Sequence, residues 1–186
     1  MADDQRDVVE VLTHDHREVE EMFGELTGTA DPDERRRIID DITIELVRHA
    51  VAEEMYLYPA VRHRVPDGDA IADKEISEHS EIEQALKDLE NVAATDADFN
   101  TVTRRLIDDV LEHVRDEENT LFPLLAAHAS KEDLLKLGEQ VQTAKKVAPT
   151  RPHPSAPDRP PLNKLLAPGT GLVDRIRDHL SGRGRD

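Results

Sequence analysis

The sequence predicts an all-α fold: an up-down-up-down four-helix bundle, then a short fifth helix and a proline-rich C-terminal tail. Three observations predict it. Four segments of about 20 residues keep apolar side chains at steps of three and four, with no competing alternation of period two. The second pair of segments repeats the first at an offset of 63 or 64 positions, a duplicated helical hairpin. The charged share of 35% nearly equals the apolar share of 37%, which suits amphipathic helices with solvated outer faces.

The first helix is expected from about Asp4 to Leu26, with Val9, Leu12, Val19 and Phe23 on its stripe and His16 filling the central gap. Asp31 caps the second, Pro32 takes its first position and Glu34 completes a capping-box pattern. That helix carries Ile38, Ile42, Leu46, His49, Glu53 and Tyr56 on one face, and residues 64–69, with Pro66 and Gly68, break it. The third carries Ala72, Glu75, His79, Ile82, Leu86 and Leu89. Residues 95–98 then end that segment and cap a fourth with Phe99, Val102, Leu106, Val110, His113, Glu117, Leu121 and Leu124. Ser130 and Asp133 form a second capping box, opening a fifth helix expected to pack across the bundle end. Residues 1–146 thus read as the bundle with its capping helix. Residues 147–186 read as an extended tail, with seven of the eleven prolines within 147–168 and a last amphipathic helix at Leu172, Val173, Ile176 and Leu180. This helix is expected to dock on the bundle or on a protein partner.

Composition excludes several classes. The absence of cysteine removes disulfides, iron–sulfur clusters and thiolate zinc sites, so any metal is held by His, Asp, Glu or Tyr. No apolar run approaches the ~20 residues of a membrane span and the N-terminus lacks signal-peptide character, so the expectation is a cytoplasmic protein. A net charge of −17 argues against nucleic acid as a partner. The tail carries nine Lys/Arg against four Asp/Glu from residue 145 onward, which suits attraction to the acidic body.

Each bundle helix places one histidine mid-stripe: His16, His49, His79 and His113. Glu53 and Glu117 follow the second and fourth at a spacing of four, on the same helix face. A single such histidine is most simply a hydrogen-bonded core residue. Four at matched depth, with acidic neighbours one turn away, are another matter. Buried unpaired they would cost several kcal/mol apiece, of the order of the whole domain's stability, and a cation removes that cost. Four imidazoles and two carboxylates exceed one tetrahedral site. They suit two metals, each on two histidines, with Glu53 and Glu117 bridging beside a solvent-derived oxo or hydroxo group. Iron, manganese and zinc all accept these donors. Tyr56, on the inward stripe, is a candidate for the open position or for a hydrogen bond to the bridge, beside its reading as a core aromatic. Glu20 and Glu83 read as solvated face, His128 as too far along the axis to ligate, and His14, His63, His153 and His179 as surface residues.

The order H…HxxxE…H…HxxxE, with Glu-Glu and a Leu-aromatic-Pro run after each HxxxE, resembles the hemerythrin-like HHE cation-binding family over roughly residues 6–128. The resemblance implies a non-haem di-iron site in a four-helix bundle, on His16, His49, Glu53, His79, His113 and Glu117. Oxygen-carrying hemerythrins have a further histidine where this chain has Glu75, and HxxxxD where it has the second HxxxE, which weighs against simple reversible oxygen carriage. Glu75 is then an extra ligand or an acceptor for a ligand histidine, and Glu45 and Asp109 hold similar positions one turn before His49 and His113. The ferritin-like pattern ExxH is absent, since Thr13, Leu46, Ile76 and Val110 stand three before the histidines. The implied activity is a redox enzyme, or a non-catalytic binding or sensing module, for dioxygen, hydrogen peroxide or nitric oxide. A regulatory adaptor using the tail is a third class.

Overall fold

A computed structural model of the chain describes residues 6–153 together with positions 170, 174 and 178. The described residues are helical, with no strand among them. Helix α1 spans Val8–Gly28, and α3 spans Gly68–Glu90. Helix α2 is α-helical over Pro32–Ala52, widens to a π-helical turn over Glu53–Leu57 and resumes over Tyr58–Arg64. Helix α4 repeats that plan: Ala97–Asp116, a π-turn over Glu117–Leu121, then Phe122–His128. Helix α5 spans Lys131–Val147.

The caps explain the boundaries. Helix α1 starts later than its periodicity suggests, because Asp7 and Glu10 make a reciprocal capping box that satisfies the backbone there. Asp31 accepts from the N–H groups of Asp33 and Glu34, but Glu34 turns to Thr29 Oγ1 and does not close the box. Asp96 occupies the cap position of α4 without a side-chain bond, whereas Ser130 and Asp133 form a full capping box on α5. At the α2–α3 corner Asp67 takes a left-handed conformation (φ 56°) and Gly68 lies against the end of α2. A Cβ on Gly68 would meet the Val61 carbonyl oxygen at 2.3 Å, and that neighbour is backbone. Gly68→Ala is therefore expected to lower stability by about 1–3 kcal/mol in a denaturant melt, by prising the corner open.

The core divides into two clusters. One gathers Val8, Leu12, Met55, Leu57, Tyr58, Leu121, Phe122 and Leu125 with the α5 residues Leu134, Leu137, Val141 and Ala144. The other gathers Val19, Phe23, Ile42, Leu46, Ile82, Leu86, Leu106 and Val110. His16, His49, His79 and His113 fall between them. Helix α5 does not cross the bundle end but lies along α1 and α2. Gly138 passes close to the Arg6–Val8 backbone, where a Cβ would stand 2.5 Å from the Arg6 carbonyl oxygen. Farther on, Lys145 reaches Asp15 of α1 and Glu45 of α2.

Most of the tail, including the expected last helix, lies outside the described residues. In the described part, contacts within the tail stand beside its contacts with the bundle. Arg151 does pair with Glu90 of α3, but Asp174 and Asp178, both buried, accept from residues 150–153. His153, read as a surface residue, is half-buried, with Nε2 2.8 Å from Asp174. Its backbone N–H donates to Glu83 at 2.6 Å, so Glu83 is covered rather than solvated. Sequence spacing carries no trace of this fold-back, because contacts across some seventy residues have no local period.

Candidate metal centre

One buried histidine from each of α1, α2, α3 and α4 meets in the layer between the two clusters. His16 and His49 form one pair, with ring centroids 5.0 Å apart, and His79 and His113 form the other, at 4.7 Å. Glu53 and Glu117, fully buried, lie between the pairs. Glu53 Oε2 is 3.1 Å from His49 Nε2 and 3.3 Å from His79 Nε2. Glu117 Oε2 is 3.4 Å from His16 Nε2 and 3.6 Å from His113 Nε2. Each carboxylate thus touches one histidine of either pair. Donor atoms of His16, His49, Glu53 and Glu117 fall within 4.8 Å of one another, as do those of Glu53, His79 and His113, and those of Glu75, His113 and Glu117.

The outer ring nitrogens explain how the imidazoles are aimed. His16 Nδ1 is 2.8 Å from Glu118, His49 Nδ1 3.2 Å from Asp15, and His79 Nδ1 3.1 Å from Glu54. His113 Nδ1 is 3.0 Å from both Glu75 and Glu78. With Nδ1 donating to a carboxylate, Nε2 is left to offer its lone pair to the centre. The duplication is visible here too. Asp15 and Glu78 stand immediately before His16 and His79, while Glu54 and Glu118 stand immediately after Glu53 and Glu117.

The π-turns set what lies beneath this layer. The Tyr58 N–H donates to the Glu53 carbonyl and the Phe122 N–H to that of Glu117, five residues apart, so one extra residue enters each turn. That rotates everything after it by about 100° relative to an α-helix. Pro59 and Pro123 follow directly, lacking the N–H an α-helical ladder would need there. The inward tyrosine is accordingly Tyr58 and not Tyr56, which is half-buried against the α5-side cluster. Tyr58 Oη is 3.0 Å from His79 Nε2, 3.1 Å from Glu117 Oε1 and 3.4 Å from Glu53 Oε2. At the matching position Phe122 stacks on His16, centroids 5.8 Å apart. The same shift turns Leu125 inward in place of Leu124.

The electrostatics describe a site short of cationic charge. Burial alone would lower the His49 imidazole, but Glu53 and Asp15 outweigh it and raise the ring to about 10. His79, likewise lowered by burial, is raised to about 10 by Glu53 and Glu54, and His113 to about 9 by Glu117, Glu75 and Glu78. Burial pushes Glu53 up, yet the charges of His49 and His79 prevail and hold it well below the usual carboxylate range. Burial also pushes Glu75 up. The Tyr58 hydroxyl is raised well above its ordinary value by burial and by Glu117 and Glu53, so it stays protonated. Even so, His16 Nε2, His49 Nε2, Glu53 Oε1, Glu75 Oε2 and Glu117 Oε2 are buried without a hydrogen bond. Five such atoms gathered in one layer fit a cation, and the donor set of imidazoles and carboxylates suits one.

Glu75 lies in this layer beside the outer nitrogen of His113. Glu45 and Asp109 do not approach a histidine ring. Glu45 pairs with Arg48 and Lys145, and Asp109 pairs with Arg105. The helix turns them outward, and Asp15, Glu54, Glu78 and Glu118 take the role expected of them. Direct adjacency to the ligand residues was the available signal. It is missed when only one-turn spacings within a helix are weighed, because these carboxylates act across helices. His14 pairs with Glu18 in solvent, and His128 bonds the Leu124 carbonyl, far from the layer.

Residues 7–125 match the model of the hemerythrin HHE cation binding domain. An uncharacterized hemerythrin-like protein of Schizosaccharomyces pombe is 27% identical over 93% of this chain and 86% of its own length. A DNA nickase of Nostoc sp. is 32% identical over 74% of this chain, which spans 39% of that protein's length. Among solved structures, a hemerythrin HHE cation binding domain-containing protein from Mycobacterium kansasii superposes with a TM-score of 0.67. That likeness covers 76% of this chain and 86% of the other at 19% identity, and bears on the fold.

Proposed function

Because this chain belongs to the hemerythrin HHE cation-binding domain family, we propose that its buried His/Glu layer holds two iron ions and takes up and reacts with a small oxidant: dioxygen, hydrogen peroxide or nitric oxide. The setting for such an activity is the response to oxidative or nitrosative stress. One observation carries the dinuclear reading: Glu53 and Glu117 each touch one histidine of either pair. His16 and His49 would hold one ion and His79 and His113 the other, with Glu53 and Glu117 each placed beside one histidine of both pairs. When bound, an iron pair supplies open coordination positions and electrons to a small ligand.

The chain's own residues do the rest. The two hydrophobic clusters above and below the layer keep bulk water out, which strengthens every interaction inside. Phe122 covers His16 with an apolar face, while Tyr58 presents a protonated hydroxyl to Glu117, His79 and Glu53. A fixed donor at that place stabilises negative charge that develops as an oxidant is reduced, and it favours reaction over passive carriage. Tyr58→Phe is expected to keep the metal content and to slow oxidant consumption by about 100-fold. Equal rates in the two proteins remove the hydroxyl from the reaction.

The test of the function is anaerobic iron(II) loading followed by optical spectra on exposure to dioxygen, peroxide and nitric oxide. The expected result is a spectral change with turnover of at least one of them. A reversible change with dioxygen and no turnover assigns the centre to binding or sensing, and silence towards all three defeats the reading.

A further inference from the structure

Three of the carboxylates that aim the histidines are themselves held by cations. Arg17 pairs with Glu118, the partner of His16. Lys74 pairs with Glu78, the partner of His113, at 2.6 Å. Both cations belong to the duplicated four-helix unit. The third does not: Asp15, the partner of His49, is met by Lys145 near the end of α5, with Nζ 2.7 Å from Asp15 Oδ1. The other Asp15 oxygen, Oδ2, is the one 3.2 Å from His49 Nδ1.

The duplication shows why the cation comes from outside. Lys74 stands four residues before Glu78, and the residue four before Asp15 is Val11, a buried member of the core. Helix α1 therefore has no cation to offer at that position, and α5 brings one. Lys145 is well covered, its side chain 17% exposed, and it also reaches Glu45 at 3.5 Å. Its place is fixed along the length of α5. Arg64 holds Asp133 at 3.0 Å, Gly138 allows the close pass over Arg6–Val8, and Leu137, Val141 and Ala144 enter the core.

We propose that α5 is part of the metal centre, with Lys145 as a positioning residue that acts through Asp15 to aim His49 and so sets the metal affinity of the His16–His49 half. The proposal rests on the dinuclear reading above. It makes the two halves separately tunable, since displacing α5 weakens one ion and spares the other.

The experiment is equilibrium dialysis of the full chain against anaerobic iron(II), comparing the parent with Lys145→Met, Lys145→Arg, Asp15→Asn and the Asp15→Asn/Lys145→Met double variant. Methionine keeps most of the apolar stem and removes the charge. In Lys145→Met one of two binding steps is expected to weaken about 10- to 100-fold while the other holds, and arginine is expected to restore it. Asp15→Asn is expected to weaken the same step, and adding Lys145→Met to it to change little more, because the lysine acts through the aspartate. Parent affinity at both steps in Lys145→Met overturns the proposal, as does equal weakening of both, or an effect that adds in full to that of Asp15→Asn. A lowered melting temperature with both iron steps intact marks a purely structural lysine and also overturns it. If Lys145→Met does not fold, Asp15→Asn decides alone, since it leaves the apolar seat of α5 untouched: unaltered steps refute the proposal. A parent chain that binds no second ion removes the dinuclear reading, and this proposal with it.

Discussion

Glu53→Gln is expected to empty the centre while leaving the bundle folded. Glutamine keeps the volume of the side chain and one carbonyl oxygen, so the packing around this fully buried residue survives. What goes is the charge. Glu53 Oε2 stands beside one histidine of each pair, so its loss acts on both halves at once. Affinity for both ions is expected to fall by about 100-fold or more, beyond the effect usual for a residue that only aims a ligand. Dialysis against iron(II), with helicity followed by circular dichroism, checks the expectation. A variant that is helical and still binds the parent's complement of iron shows that Glu53 is not shared between two ions. Glu54→Gln is the informative contrast: Glu54 meets the outer nitrogen of His79, in one of the two pairs, so one step is expected to weaken and the other to hold.

The second large effect is on stability against pH. In the metal-free protein His49 and His79 titrate near 10 and His113 near 9, against an ordinary value of 6.5. A group whose pKa is raised on folding contributes stability that is fully present below its unfolded value and is lost as pH rises through its folded value. The metal-free chain is therefore expected to lose stability from about pH 6.5 upward, by about 2 kcal/mol or more between pH 7 and pH 10. For a chain of this size that is a fall of roughly 4–8 °C in melting temperature. Glu53, held low, works in the opposite sense: its contribution is present above 4.5 and disappears as acid protonates it. Bound metal replaces the ring protons. The loaded protein is then expected to melt higher by about 8–16 °C for each ion bound at a thousandfold excess over its dissociation constant, with little slope across pH 7–10. Parallel melting curves for the two forms over that range would show that the imidazoles do not exchange protons for metal.

The hairpins, their order and the histidine layer were legible in the sequence for a simple reason. His16, His49, His79 and His113 each interrupt an apolar stripe, and a polar gap at constant depth in four helices is a pattern of period and of repeat. The π-turns were not legible from period, because an inserted residue breaks the very periodicity used to find an inward face. An α-helical period thus points Tyr56 and Leu124 inward, where the π-turns bring in Tyr58 and Leu125. The cue is present in Pro59 and Pro123, two residues beyond each π-turn, where a continuous α-helical ladder is not available. The carboxylates that aim the rings were missed for another reason. Asp15, Glu54, Glu78 and Glu118 act across helices, and spacing within one helix says nothing of what its neighbour presents. Lys145 is farther still from any local signal, since it joins α5 to a histidine nearly a hundred residues earlier through an aspartate on a third helix.

The count of iron ions per chain tests the account most directly. After anaerobic iron(II) loading and removal of loosely held metal, the parent chain is expected to retain two, and His49→Ala or His113→Ala to retain fewer. A parent that retains one ion or none, or a pair of alanine variants that retain as many as the parent, contradicts the shared-carboxylate centre.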